Sequence, residues 1–293
     1  MMNYALDALW WRLKSPVVRD LASILTAPAP WHSSNELPVA HLLGDEGFKR
    51  LLELDDNPYC LLDFLNDQPF HHHRLGIYAE QLLNFWFQFA PHTELIHSNL
   101  KIINCSQIFG AADFVVKINN TAYHIELTCK YYGASKPDIS SLVGLDRLDR
   151  LENKVAKLKQ QLALTNHPQT IAKLQQLKIE LTHLQCASIV RGMLFTENMQ
   201  PFSQPEINPL CWQGYWTDNW LKLQSQLDVN KNNRFWLHNR LSLLAPARIL
   251  ARDTINFDQV KYVKQGILAL LQQREDGYWH EVQRIMKIKH DKH

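Results

Sequence analysis

Apolar residues recur at helical spacing from Leu75 to Phe89: Leu75, Tyr78, Ala79, Leu82, Trp86 and Phe89 form one stripe, widened by Gly76, Leu83 and Phe87. Gln81, Asn84 and Gln88 make the polar face. Glu80 falls outside it, at the border of the buried side, where a carboxylate is costly unless paired. The period then changes to two. Residues 101–108 and 113–118 read as strands, Asn119-Asn120 as a hairpin turn, and 122–132 as the clearest strand of the chain. In it Tyr123, Ile125, Leu127, Cys129 and Tyr131 alternate with His124, Glu126, Thr128 and Lys130, so one face is core and the other is free for polar chemistry.

Helical spacing returns over 141–184. Leu145, Leu148, Leu151, Val155, Leu158 and Leu162 are followed, after Asn166-His167-Pro168, by Ile171, Leu174, Leu177, Leu181 and Leu184. This predicts an antiparallel helical hairpin that turns at Pro168 and projects from the core, each helix carrying one narrow apolar seam. The first 70 residues read as helices punctuated by proline, and His71 to His73 as a polar helix start, since three consecutive helical residues diverge. A strand over 187–195 precedes helices, with Trp212, Trp216 and Trp220 at i, i+4 and i+8 as a packed stripe, and a frayed basic tail. The organisation is one α/β domain over 1–293: an N-terminal helical region (1–74), a helix and hairpin (75–140), the helical hairpin (141–184), and a C-terminal strand and helices (185–293).

Composition narrows the class. Hydrophobic residues make up 46% and charged residues 20%, as in an ordinary soluble globular chain. Lys and Arg number 31 against 29 Asp and Glu, too balanced for a protein built only to coat nucleic acid, so any such binding is local. Apolar runs stop short of the ~18 residues that span a bilayer, which argues against a membrane partner. The opening MMNYALDALWWRLKSP lacks the order of a secretory signal, and five cysteines without a CxxC pair point away from a disulfide framework or cysteine zinc site. A cytoplasmic protein with reduced thiols is expected.

Pairing the hairpin about Asn119-Asn120 sets Ile118 opposite Thr121 and therefore Asp113 opposite Glu126, on one face. Opposed like charges destabilise a sheet, and a cation relieves them. Two carboxylates plus water suit Mg²⁺ or Mn²⁺, with Asp113 and Glu126 as the metal ligands. Lys130 shares that face, roughly 13 Å along the strand from Glu126. A purely structural alternative stands beside this: Asp113 caps its strand, and Glu126 pairs with Lys130 or an arginine. Lys231, Arg234, Arg240, Arg248 and Arg252 occur without an acidic residue among them and with Phe235 and Trp236 interleaved. Arg234, Trp236, Arg240 and Arg248 are thus candidates for tracking and stacking on DNA or RNA; a core segment with solvated arginines is the alternative.

The order helix with Glu80, strand, strand opening on Asp113, strand with Glu126 and Lys130, helix, strand resembles the core of the PD-(D/E)xK nuclease superfamily. More closely, the chain resembles an uncharacterised bacterial family of domains of unknown function assigned to that superfamily. The likeness runs through VRDLASIL, RLGIYAEQLLNFW, ADFVV, HIELTCKYY, GLDRLDRLENKVAKLKQQL, RGMLF and RFWLHNRLSLLAPAR. It implies a restriction-endonuclease-like core, a mixed sheet flanked by helices with 141–184 as a helical hairpin insertion, and Mg²⁺-dependent hydrolysis of phosphodiester bonds in DNA or RNA. It makes Glu80 the helix carboxylate, Asp113 the first-strand acid, Glu126 the second-strand acid and Lys130 the catalytic lysine. Two departures stand out: Thr128 occupies the usual lysine position, and Ala112 precedes Asp113 where the motif has proline. The rival reading is a non-catalytic nucleic-acid-binding or protein-interaction protein that keeps the fold, with the helical hairpin available for homodimerisation.

Overall fold

The structure is a computed structural model and describes residues 12–68, 74–104, 107–177, 184–227, 229 and 233–288. His71 to His73, residues 178–183 of the second predicted hairpin helix, and Lys231 lie outside the described residues. Four helices come first: α1 (Pro16–Thr26), α2 (Val39–Leu43), α3 (Gly47–Asp56) and α4 (Tyr59–Asn66). Then follow α5 (Leu75–Phe89), β1 (Thr93–Asn104), β2 (Gln107–Ile118), β3 (Thr121–Ala134), α6 (Leu151–Ala163), α7 (Pro168–Gln176) and β4 (Gln185–Thr196). The remainder is β5 (Gln213–Thr217), α8 (Trp220–Gln226), β6 (Arg234–Leu237), β7 (Arg248–Ile249), α9 (Phe257–Val260), β8 (Gly266–Gln273) and β9 (Trp279–Lys287).

The strands form one mixed sheet in the order β1-β2-β3-β4-β5-β9-β8-β6, with β7 on β9. β1, β2 and β3 are antiparallel, whereas β3, β4, β5 and β9 run parallel. The odd face of β3 (Tyr123, Ile125, Leu127) packs with Leu82, Leu83 and Phe87 of α5 and with α1, while Tyr132 of the even face packs with Leu151, Leu158 and Leu162 of α6. The two helices that matter for the site therefore lie on opposite faces of one strand. Among the described residues no helix is long and apolar enough to cross a membrane.

α5 coincides with its predicted span because its stripe is wide enough to bury Ala79, Leu82, Leu83, Phe85, Trp86 and Phe87. Two residues differ from the simple pattern: Gln81 is buried, and Phe89 is half exposed beside the Phe85 and Phe64 rings. The strand expected over 101–108 is instead the tip of a hairpin, in which Asn104 pairs with Gln107.

The region 141–184 also departs from expectation. Residues 142–150 form turns and short bridges, with Val143 paired to Gly133 and Arg150, and helix begins only at Leu151. α6 and α7 lie against the sheet rather than projecting from it. Leu158 and Leu162 pack with Tyr132, Val190 and Leu194, and Leu174 packs with Leu100, Ala112 and Val115. The physical reason is that β3 and β4 are parallel, and a parallel pair needs a long crossover that covers the sheet. The α6 leucine seam is consumed by that packing and is not open for a second copy.

The C-terminal region is richer in strands than expected, since β4 to β9 all fall after residue 184. The three tryptophans do not share a helix: Trp212 precedes β5, Trp216 lies within it, and Trp220 opens α8 behind the Asn219 cap, whose side chain accepts from the Leu221 N–H. Met286 and Lys287 of the expected tail belong to β9.

A buried polar network fastens residues 243–247 between α1, α5 and β9. Asp20 accepts from the Tyr78 hydroxyl (2.9 Å) and the Ala245 N–H (3.1 Å). Burial pushes its carboxyl up to about 7, against the pull of those two hydrogen bonds. A carboxyl raised in the fold binds its proton more tightly there than in the unfolded chain, so this site costs stability as pH rises from about 4 to about 7. Asp20→Asn is expected to melt higher than wild type at pH 8 and no higher at pH 5. Parallel melting-curve shifts at both pH values would contradict this.

Candidate active site

The β2–β3 ladder runs from Ile118 and Thr121 to Phe114 and Ile125 and stops there. β2 nevertheless continues along β1 towards its tip, and β3 continues along β4 to Ala134. The strands diverge just before the predicted Asp113–Glu126 pair, and the two acids bridge the gap. Asp113 Oδ2 accepts the Leu127 N–H (2.8 Å), and Glu126 Oε1 faces the Asp113 N–H at 3.4 Å. The side chains replace ladder hydrogen bonds that the diverging backbones no longer make.

Glu126 is 1% exposed and tightly framed. His124 Nε2 lies 2.8 Å from its Oε1, and Gln161 Nε2 of α6 donates to its Oε2 at 2.6 Å. The other imidazole nitrogen, Nδ1, meets Thr165 Oγ1 at 2.6 Å, and that hydroxyl also lies 2.8 Å from the Leu162 carbonyl. A carboxylate offers about four lone-pair sites. Those of Glu126 are mostly committed, whereas Asp113 Oδ1 accepts no hydrogen bond among the described residues.

Glu80, on α5, lies within electrostatic reach of Glu126. Burial raises its pKa, the Glu126 charge raises it further, and Lys154 opposes both. Asp113 is pushed up to about 7 by burial and then by Glu126, with Glu80 adding to the effect and the Leu127 N–H and Lys154 opposing it. Lys154, in the first turn of α6, is lowered by burial and by its neighbours Lys130 and Lys157, against the pull of Asp113 and Glu126. Asp113 and Glu126 meet at the strand fork, and Glu80 of α5 and Lys154 of α6, on opposite faces of β3, lie near enough for their charges to act on them.

Lys130 does not complete this group as the sequence suggested. Its ammonium is held by Asp149 at 2.5 Å, and the other oxygen of Asp149 takes the Tyr132 hydroxyl. The reason is tertiary: the turn before α6 sets a carboxylate over the end of β3. Lys154 stands by the acids in its place, and sequence reasoning missed it. The available signal was the Leu151, Leu158 and Leu162 stripe, which fixes the side of α6 that covers β3.

Residues 7–288 match the family described as Domain of unknown function (DUF1853). The chain belongs to that family. No curated protein and no solved structure matches it.

In this DUF1853 chain the candidate nucleic-acid residues sit apart from the acids, since β4, β5, β9 and β8 separate β3 from β6 in the sheet. Arg234 lies over the Trp279 ring, and Trp236 packs edge-on to His238. Arg248 stacks on Tyr278 and pairs with Asp276 at 3.1 Å, while Arg240 is exposed beyond β6. The structure does not join these four to the fork, near which Lys154 has Lys130 and Lys157 as its cationic neighbours.

Among the described residues no three His, Cys, Asp or Glu side chains form a ready cage for a metal ion. The donors at the fork are nevertheless hard oxygens: Asp113 Oδ1, the Glu80 carboxylate and what remains of Glu126. Such a set fits Mg²⁺, which keeps several waters and takes one or two carboxylates.

Proposed function

We propose that this chain is a Mg²⁺- or Mn²⁺-dependent nuclease with a restriction-endonuclease-like core, hydrolysing phosphodiester bonds in DNA or RNA. The observation that carries the reading is the strand fork itself. Two acids meet there and a third lies within electrostatic reach, two of the three with raised pKa values, and the ammonium of a nearby lysine has no hydrogen bond or ion pair among the described residues. Unpaired buried charge of this kind is expected where a site is built for a charged partner.

In this reading Asp113, with the free lone pair of Glu126 and the Glu80 carboxylate, would hold the cation, which when bound would lower the pKa of an attacking water and stabilise charge on phosphorus. Glu126 is fixed in place by His124 and Gln161. Lys154 faces the phosphate as a cation, and its lowered pKa suits it to pass a proton to the leaving oxygen. Lys130 and Lys157 extend the positive rim towards flanking phosphates. The engagement of most Glu126 lone pairs by His124 and Gln161, and of Lys130 by Asp149, favours a second reading: a nucleic-acid-binding protein that keeps this fold without cutting.

Lys154→Met and Lys130→Met separate the roles of the two lysines. Cleavage is expected to fall about a hundredfold or more in the Lys154 variant, the scale on which a positioned proton donor acts. The Lys130 variant is expected to keep cutting within about tenfold. Equal losses in both, measured on a fluorescent oligonucleotide with Mg²⁺, would contradict the placement of Lys154.

A further inference from the structure

Thr128 stands where the superfamily motif has its lysine, and the structure gives its hydroxyl an unusual position. The residue is 3% exposed, and Oγ1 has no hydrogen-bond partner among the described residues. A buried hydroxyl left unpaired costs free energy, so a sequence that keeps one is expected to use it.

Its surroundings are fixed by the way α6 crosses β3. The contacts run antiparallel along the strand: His124 meets Thr165, Glu126 meets Gln161, and Lys130 meets Asp149 just before the helix. Thr128 lies between Glu126 and Lys130 on the same face, beneath the stretch of helix from Lys154 to Gln161. Its partner across the parallel ladder, Val190, packs with Leu158 and Leu162, which confirms the side it faces.

Gln161 supplies a second unpaired group there. Its Nε2 donates to Glu126, which fixes the amide orientation, because the flipped amide would set oxygen against carboxylate. Its Oε1 is therefore an acceptor, and it too is buried without a partner. An acceptor and a hydroxyl thus lie near Glu126 with no hydrogen-bond partner among the described residues.

We infer that Thr128 and Gln161 are positioning residues that together hold a water of the divalent cation's hydration shell, with Gln161 Oε1 accepting from that water and Thr128 Oγ1 exchanging a hydrogen bond with it. This rests on the nuclease reading and deepens it. The lysine position is occupied by a group that orients water rather than one that carries charge, while Lys154 brings the charge from the helix.

Thr128→Val removes the hydroxyl and keeps the shape; Thr128→Ser keeps the hydroxyl. Mn²⁺ titrated into each purified full-length protein, with free ion read by electron paramagnetic resonance, gives affinity independently of turnover. Affinity is expected to fall about tenfold in the Val variant, the lower end of what outer-shell partners are worth, and to return to within about threefold of wild type in the Ser variant. Without metal, Thr128→Val is expected to melt at or above the wild-type temperature, because it deletes an unsatisfied group. Val and wild type binding Mn²⁺ equally would overturn this inference and leave the nuclease reading standing. A Ser variant that binds as weakly as Val would also overturn it. A wild type that binds no Mn²⁺ would overturn the cation reading, and this inference with it.

Discussion

Asp113→Asn is expected to stop cleavage while making the metal-free protein more stable. The amide keeps an oxygen for the Leu127 N–H, so the strand fork stays closed. It removes the Asp113 charge, and with it the repulsion against Glu126 and Glu80. Because burial and those neighbours push the Asp113 carboxyl up to about 7, wild type loses stability as pH rises from about 4 to about 7, and the Asn variant escapes that loss. The gain is therefore expected at pH 8 and absent at pH 5, at about 2–4 °C for each kcal/mol of repulsion relieved. Cleavage is expected to fall about a hundred- to a thousandfold, the scale set by loss of one preorganised electrostatic group. Added Mg²⁺ is expected to raise the melting temperature of wild type and to leave the variant nearly unchanged. An Asn variant that melts below wild type at pH 8 would mean that Asp113 serves the fold as an anion.

The largest effect on stability is expected far from the fork, at Glu281. Arg284 gives Nε and Nη2 to its two oxygens at 2.6 and 2.9 Å, and the Ala247 N–H adds a third bond at 2.7 Å. The same guanidinium donates to the Leu243 and Ala245 carbonyls, so one ion pair holds residues 243–247 onto β9. Burial pushes the Glu281 carboxyl up, but the Arg284 charge outweighs this, and with His238 Nε2 3.3 Å away it keeps the group well below the usual carboxylate range. Glu281→Gln would leave Arg284 charged and fully buried without its counterion, which costs about 3–5 kcal/mol. Urea melts are expected to show that loss. They are also expected to show that adding Arg284→Met costs less than the sum of the two single changes, since the stranded charge is then gone. A Glu281→Gln variant as stable as wild type would contradict the clamp.

What was legible in the chain follows from which forces act locally. α5 and β3 were readable because their apolar periods are unbroken, and the β2–β3 register followed from Asn119-Asn120, which take the positive φ angles a tight hairpin demands. The observed ladder keeps that register as far as Phe114 and Ile125, one step short of the expected Asp113–Glu126 pair. The β1–β2 tip was not legible, because the run across it carries β-forming residues on both sides. Helix was expected too early, at 141, because Leu145 and Leu148 fit the helical spacing by accident; Leu148 is 86% exposed. The tryptophan spacing at 212, 216 and 220 is a coincidence of the same kind, across a strand, a turn and a cap. The exchange of Lys130 for Lys154 depended on Asp149 and on the crossing of α6, which are long-range facts. His124 is different: two residues from Glu126 on one strand, its contact with that carboxylate was open to inference from the alternation alone.

The most direct measurement follows end-labelled single- and double-stranded DNA and RNA incubated with the purified chain in Mg²⁺ or in EDTA. Shortened products from at least one substrate in Mg²⁺, with none in EDTA and a hundredfold or greater loss in Asp113→Asn, is the predicted result. Intact substrates throughout, or cutting that persists in EDTA, would contradict the account.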